Sequence, residues 1–442
     1  MRLKFVPLFV VLATAANAQS APGDVPELVG GSVKSSTAIA VPPMPTPSDA
    51  DTSAGSTVAL GRQVASVIAS DLRSTGGFTP LGPDGVGSYS FAEASAPTFA
   101  TWRSAGAAQL VTGFVEAKGD GKITVGCRLY DVAAGRQLAE QGYSVAAGEW
   151  RRAAHKCADM VYARLTGEGA FLDTKVVYVA ETGPKNHRVK RIAIMDSDGS
   201  NHRFLTSGSA TVTTPRFSPR GDRLVYMTTA GRRPRVMIMD VASGTERSLV
   251  PGLVLTFAPC FSPDSRQVVF SMAVAGNTDL YVVDAAGGTP RRLTSTPGAD
   301  TSPSYSRDGS RIAFESDRSG TQQIYVMAAD GSGQKRTSFG SGRYASPAWS
   351  PRGDTIAFTK IAGGQFRIGV MNASGGNERL LTDAWQDEGP SWAPNGQFVL
   401  FNRTRQGSGQ TSLFAVNVQT GTARRLPTPQ DGSDPSWSPL QR

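Results

Sequence analysis

Histidine is nearly missing: the 442 residues hold three, His155, His187 and His202. They fall in a helical run, a loop and a strand end of different segments. A Ser–His–Asp triad or a multi-histidine metal centre needs such groups to converge, and this supply argues against either. There is no G-x-S-x-G elbow, no G-x-x-x-x-G-K-[ST] phosphate loop, no G-x-G-x-x-G after a strand and no C-x-x-C. The acidic turns SDGSN, ADGSG and QDGSD lack the spacing and terminal glutamate of a calcium loop, so they read as turns. The sequence therefore predicts no enzyme, no metal centre and no resident cofactor.

Cysteine is scarce too. Cys127, in ITVGCRLYDV, shares a strand face with Ile123, Val125 and Leu129. Cys157 lies in a helical run four residues before Val161. Both point at one small core, so a disulfide is available in an oxidising compartment, with packed free thiols as the alternative. Cys260 sits on a repeat strand and reads as packed.

Long apolar runs are confined to the start. In MRLKFVPLFVVLATAANAQS, Arg2 and Lys4 precede the apolar stretch 5–13 and the small-x-small site Ala16-Asn17-Ala18. That pattern predicts a secretory signal peptide over 1–18, cut before Gln19. The stretch is too short to span a bilayer, and no cysteine follows the cut to take a lipid. No later stretch predicts membrane insertion. The expectation is a soluble exported protein in the periplasm of a Gram-negative cell, monomeric by itself. That compartment excludes nucleic acid as a partner of the basic half: residues 171–442 hold 31 Lys+Arg against 22 Asp+Glu, while 19–170 hold 12 against 14. The diffuse positive charge reads as solubility first and as steering toward an acidic partner second.

Turn residues are abundant, with Gly 49 and Pro 28. They punctuate a repeat. PRFSPRGDRLVYMT, PCFSPDSRQVVFSM, PSYSRDGSRIAFES, PAWSPRGDTIAFTK and PSWAPNGQFVLFNR spell one phrase, and PSWSPLQR begins it again. The leading prolines stand at 215, 259, 303, 347, 390 and 435. A period in the low forties, with four strands per unit, predicts a β-propeller. The last phrase has no second strand after it, and the first strand pattern, KVVYVAE at 175–181, has no phrase before it. Joined, they complete a sixth blade, so the C-terminal strand closes the ring and removes free edges. Phe217, Phe261, Tyr305, Trp349, Trp392 and Trp437 then occupy one position in six blades and pack between neighbours.

A different domain comes first. Residues 19–36 read as a mobile arm. TAIAVPPM is a short strand, and Asp49 or Asp51 is a candidate helix start. Leu60, Val64, Val67, Ile68 and Leu72 share a helix face over 58–73. Strands follow at 108–117, 122–132 and 137–145, then a helix over 149–167 ending at Gly167. The fold class is thus an α+β N-terminal domain, a small sheet with two helices, followed by an all-β six-bladed β-propeller closed by the C-terminal strand. The boundaries are 1–18, 19–36, 37–170 and 171–442. His155 falls where the two domains should meet.

With chemistry excluded, surface remains. The loops entering each first strand ring one face of the channel. Phe257, Tyr344 and Trp385 have no scaffold role there, and Asp300, Asp387, Glu388 and Asp434 lie beside them. These predict a partner-binding rim.

Together, the leader, the small domain and the six phrases resemble the TolB family of the Tol–Pal system. The specific segments are IAVPPM, VASVIASDLRSTGGFTPL, WRSAGAAQLVTGFV and HKCADMVYARLTGEGAF. The resemblance implies a non-enzymatic adaptor that binds the peptidoglycan-associated lipoprotein Pal through the channel face and TolA through the mature N-terminus. It would support outer-membrane integrity and invagination during division. Carried over residue by residue, the Pal face is Thr214, Ala258, Thr301, Ser302, Tyr344, Ser346, Trp385, Glu388 and Gly389. Leu255 stands where the family pattern has histidine. The TolA ligand would be the arm QSAPGDVPELVGG, with Val25, Glu27 and Val29. A channel-bound calcium is compatible with the family's fold. The rival is an exported propeller that binds or hydrolyses a small ligand or glycan in its channel, for which Asp300 with Glu388 is the available carboxylate pair.

Overall fold

The computed structural model describes Leu28–Val29 and residues 36–230, 233–252, 254–353 and 355–441. The predicted signal peptide, and Val25 and Glu27 of the arm, lie outside them.

The small domain is one five-stranded sheet, ordered Phe78–Leu81, Thr37–Ala40, Gln109–Ala117, Lys122–Asp131, Arg136–Ala146. Helix α1, Thr57–Ser74, buries Leu60, Val64, Val67, Ile68 and Leu72 against it. Each such side chain contributes roughly 1.5–3 kcal/mol. The helix does not start at Asp49 or Asp51. Asp51–Thr52 pairs with Gly55–Ser56 in a small hairpin, and the Ser56 hydroxyl caps the helix by accepting from the Ala59 N–H. Two further elements were not expected. Phe78–Leu81 adds a parallel edge strand to Thr37–Ala40, and a short helix α2 spans Phe99–Ser104. Helix α3, Trp150–Thr166, ends as predicted at Gly167, whose φ of 75° suits a glycine. A Cys127–Cys157 disulfide ties α3 to the sheet, with Cα atoms 6.0 Å apart.

Asp159 of α3 fixes the passage to the second region. Its Oδ1 accepts the N–H groups of Phe171 (2.7 Å) and Leu172 (2.8 Å), and its Oδ2 that of Asp173 (3.0 Å). Phe171 is thereby stacked on Phe398 at 4.8 Å and set edge-on to Trp437 at 6.0 Å. One core consequently runs from Ala154 and Cys157 to Leu400, Leu413 and Trp437.

The second region is β-rich and propeller-like. Its repeat is a four-stranded antiparallel sheet, as in Asp300–Tyr305, Arg311–Ser316, Gln323–Ala328 and Lys335–Arg336. The last strand, Asp431–Trp437, pairs with the first, Lys175–Thr182. Neighbouring sheets are stitched where the sequence repeats. The N–H of Trp349 donates to Ser304 Oγ (2.9 Å) of the preceding unit, and that of Trp437 to Ser391 Oγ (3.0 Å). Arg311 lies 4.8 Å over the Trp349 ring and Arg223 5.5 Å over Phe261. Glycine is required at Gly331 and Gly375, where an added Cβ would fall 2.4 and 2.0 Å from the carbonyl oxygens of Leu293 and Thr337 in the preceding unit.

Candidate functional site

The residue before each motif proline has left-handed backbone. Thr214, Ala258, Ser302, Ser346 and Asp434 have φ between 48° and 52°, and Gly389 has 67°. Each sits at a break in strand register, such as that between Thr301 and Ser304. For a non-glycine residue this conformation costs about 1–2 kcal/mol. Its repetition at one level of six units points to a requirement there. All six residues line one axial cavity of about 530 Å³. Three of their N–H groups are held by the preceding unit: Thr214 by Asp434 Oδ2 (3.1 Å), Ser346 by Glu315 Oε2 (3.2 Å) and Asp434 by Asn402 Oδ1 (3.3 Å). Burial raises the pKa of Glu315 and of Glu388, and for Glu388 the neighbouring Asp434 and Asp387 add to it.

Five of the expected rim residues, Thr214, Ala258, Ser302, Ser346 and Gly389, thus meet around one opening. Thr301 and Glu388 precede Ser302 and Gly389 on the same strands. Trp385 is exposed. Three expectations need correction. Tyr344 is fully buried: its hydroxyl donates to Glu378 (2.6 Å) and its ring packs on Phe358 at 5.2 Å. Asp300 and Asp387 are also fully buried. Both oxygens of Asp300 lie 2.8 Å from Arg318 Nη2, and Asp387 is held by Arg403 Nε and Nη2 at 2.7 and 2.9 Å. These three share one repeat position, two residues before the left-handed one, and it faces its own sheet. Asp300 therefore offers no free carboxylate to pair with Glu388. Phe257 is only partly exposed, whereas Phe339, not anticipated, is the most exposed large apolar side chain described, at 69 %. Its signal was the turn-rich loop SFGSG.

The arm is seen at one point. Leu28–Val29 pairs antiparallel with the outer strand Ala423–Arg425, Val29 opposite Ala423.

Among the described residues, one group of three could approach a metal: Asp71, His155 and Asp198, at the junction of the two regions. It does not fit one. His155 Nδ1 is 2.7 Å from Asp71 Oδ2, and Arg151 already sits on Asp198. Burial pulls the His155 pKa down, but the Asp71 carboxylate and hydrogen bond, with Asp198 and Asp196, carry it up to about 9. Burial raises the pKa of the Asp71 carboxyl in turn, and the hydrogen-bonded pair holds the junction. Calcium does not fit the axial cavity either, because its lining offers one carboxylate, Asp434, against the guanidinium groups of Arg216 and Arg307.

A β-rich, propeller-like region with small side chains around one opening, and every histidine elsewhere, is the architecture of a β-propeller protein. Comparison with known proteins agrees. A model of the TolB amino-terminal domain matches residues 28–138, and one of the TolB beta propeller domain matches 162–441. The Tol-Pal system protein TolB of Rhizorhabdus wittichii is 61 % identical over 438 residues, covering 99 % of this chain and 100 % of the relative. That of Zymomonas mobilis is 62 % identical over 412 residues, covering 93 % and 90 %. The crystal structure of TolB from Acinetobacter baumannii superposes with a TM-score of 0.81 at 26 % identity, covering 94 % of this chain and all of that one. The chain belongs to the TolB family, whose members are protein-interaction components rather than enzymes.

Proposed function

We propose that this chain is a periplasmic adaptor of the Tol–Pal system. It holds the lipoprotein Pal against the channel face of a closed six-bladed propeller and offers its N-terminal arm to TolA, supporting outer-membrane integrity and invagination at division. The observation that carries this reading is the convergence of Thr214, Ala258, Ser302, Ser346 and Gly389 on one opening. Small side chains on strained backbone make a face whose shape is fixed before a partner arrives, which lowers the ordering cost of binding. Trp385 supplies an aromatic anchor beside it. Thr301, on the strand that carries Ser302, and Glu388, on the strand that carries Gly389, supply polar contacts. Two features support the ring: the Asp431–Trp437 strand beside Lys175–Thr182, and the period of the phrases.

The arm reading draws on the edge pairing of Leu28–Val29. An extended backbone that adds to one sheet edge can add to another, with Val25, Glu27 and Val29 choosing the partner. In this scheme residues 1–18 are the leader, 19–36 the arm, 37–170 the α/β domain and 171–442 the propeller. Co-purification from envelope extract tests it. The wild type should retain a peptidoglycan-associated lipoprotein, and an Ala258→Arg, Thr301→Arg double variant should lose it while staying folded. Equal retention by both would reject the rim, and capture by neither would reject the adaptor.

A further inference from the structure

The repeat is broken by charge at two places inside the axial cavity. The residue after each motif proline is Arg216, Cys260, Ser304, Ala348, Ser391 or Ser436. All three serines accept an N–H from the next unit's aromatic position: Ser304 from Trp349, Ser391 from Trp437 and Ser436 from Phe217. An arginine is a donor only and cannot take that role. Four residues beyond the motif proline, five units place a proline at the mouth of the cavity, such as Pro219 and Pro351, and the sixth places Arg307. Both departures add a guanidinium to the same lining.

These charges are not neutralised locally. Arg216 donates through Nη1 to its neighbour's carbonyl, Pro215 O, at 2.9 Å, and forms no ion pair among the described residues. The one carboxylate in the lining, Asp434, is occupied by the Thr214 N–H. Desolvation presses on the Arg216 charge, with the fields of Asp434 and Cys260 against it. A guanidinium keeps its proton under such pressure and looks for an anion instead. The remaining walls combine prolines and the motif aromatics with small residues, chiefly serines.

We propose that this cavity binds a carboxylate carried on an apolar body, with Arg216 as the anchor and Arg307 drawing the anion to the mouth. A planar guanidinium takes a carboxylate through two parallel hydrogen bonds, and the proline and aromatic walls cover the rest of the ligand. The carboxylate can belong to a free acid or to a peptide C-terminus. The site shares its cavity with the rim residues, and Arg216 lies two residues beyond Thr214 along the same strand.

Trp349, Trp392 and Trp437 line the cavity and report its occupancy by fluorescence. Titration with hexanoate should give a saturable change in the full-length mature chain, and uncharged hexanamide should give none. Arg216→Gln should weaken hexanoate about tenfold or more, the range of one charge-assisted hydrogen bond. Cys260→Asp, which sets a carboxylate beside Arg216, should block it without removing the arginine. A Leu-Leu dipeptide with a free C-terminus, run against its amide, separates the two sources: binding by the free dipeptide assigns a chain end, and binding by hexanoate alone a small acid. Equal responses to hexanoate and hexanamide would overturn the proposal. So would wild-type hexanoate affinity in both variants.

Discussion

Replacing His155 by asparagine should flatten the pH dependence of stability above neutrality. The imidazole is fully buried between Asp71, 2.7 Å from Nδ1, and Asp198, 3.9 Å from Nε2. Burial opposes its charge, but Asp71, with Asp198 and Asp196, outweighs burial and holds the folded pKa at about 9, against an ordinary 6.5. A group with a raised folded pKa stabilises fully below its unfolded value and loses that contribution as pH climbs through the folded one. The window is therefore from about 6.5 to about 9. At about 1.4 kcal/mol per tenfold change in proton affinity, the stake is about 3 kcal/mol. Urea unfolding at pH 6, 7.5 and 9.5 should show the wild type losing up to that amount beyond the loss of His155→Asn. Parallel pH profiles for the two proteins would refute the buried imidazolium, and so would a wild type that gains stability between pH 6 and 9.5.

Three further outcomes follow from the packing. Cys127→Ser, or reduction of the wild type, should cost about 3–4 kcal/mol in urea, the value for a closed loop of some thirty residues. Asp159→Ala strands three buried N–H groups at about 1–3 kcal/mol each, so amides 171–173 should lose hydrogen-exchange protection before the rest of the protein. Asp387→Asn breaks the pair between a fully buried carboxylate and the partly buried Arg403 and should cost about 3–5 kcal/mol by denaturant unfolding. A loss as small as that of a surface pair would show that the carboxylate is solvated.

What the sequence made legible was whatever repeats or alternates without interruption. Trp349 and Trp437 could be placed between sheets because the phrase recurs. Cys127 and Cys157 could be placed on one core by strand parity and helix periodicity, which left a disulfide and packed thiols both open. Tyr344, Asp300 and Asp387 were misplaced for one physical reason. They read as loop residues, yet each lies on the first strand of its sheet, where the left-handed residue before the proline inserts a bulge that interrupts the alternation. The small residues Thr, Ala, Ser, Ser, Gly and Asp ahead of the six prolines were its only trace. The strand Phe78–Leu81 was hidden because FTPL carries a proline and no alternation, and it exists through its parallel neighbour. The partner of His155 was out of reach, since Asp71 lies 84 residues away and only the fold brings the two together.

The most direct test is site-specific photo-crosslinking in living cells. One photoreactive residue would replace Thr301, next to Ser302 of the cavity lining, and another Arg220, in the exposed turn that follows the lining residue Pro219. A crosslink to a peptidoglycan-associated lipoprotein from Thr301 and none from Arg220 is the expected result. A crosslink from Arg220 alone, or equal crosslinks from both, would contradict binding at the channel face.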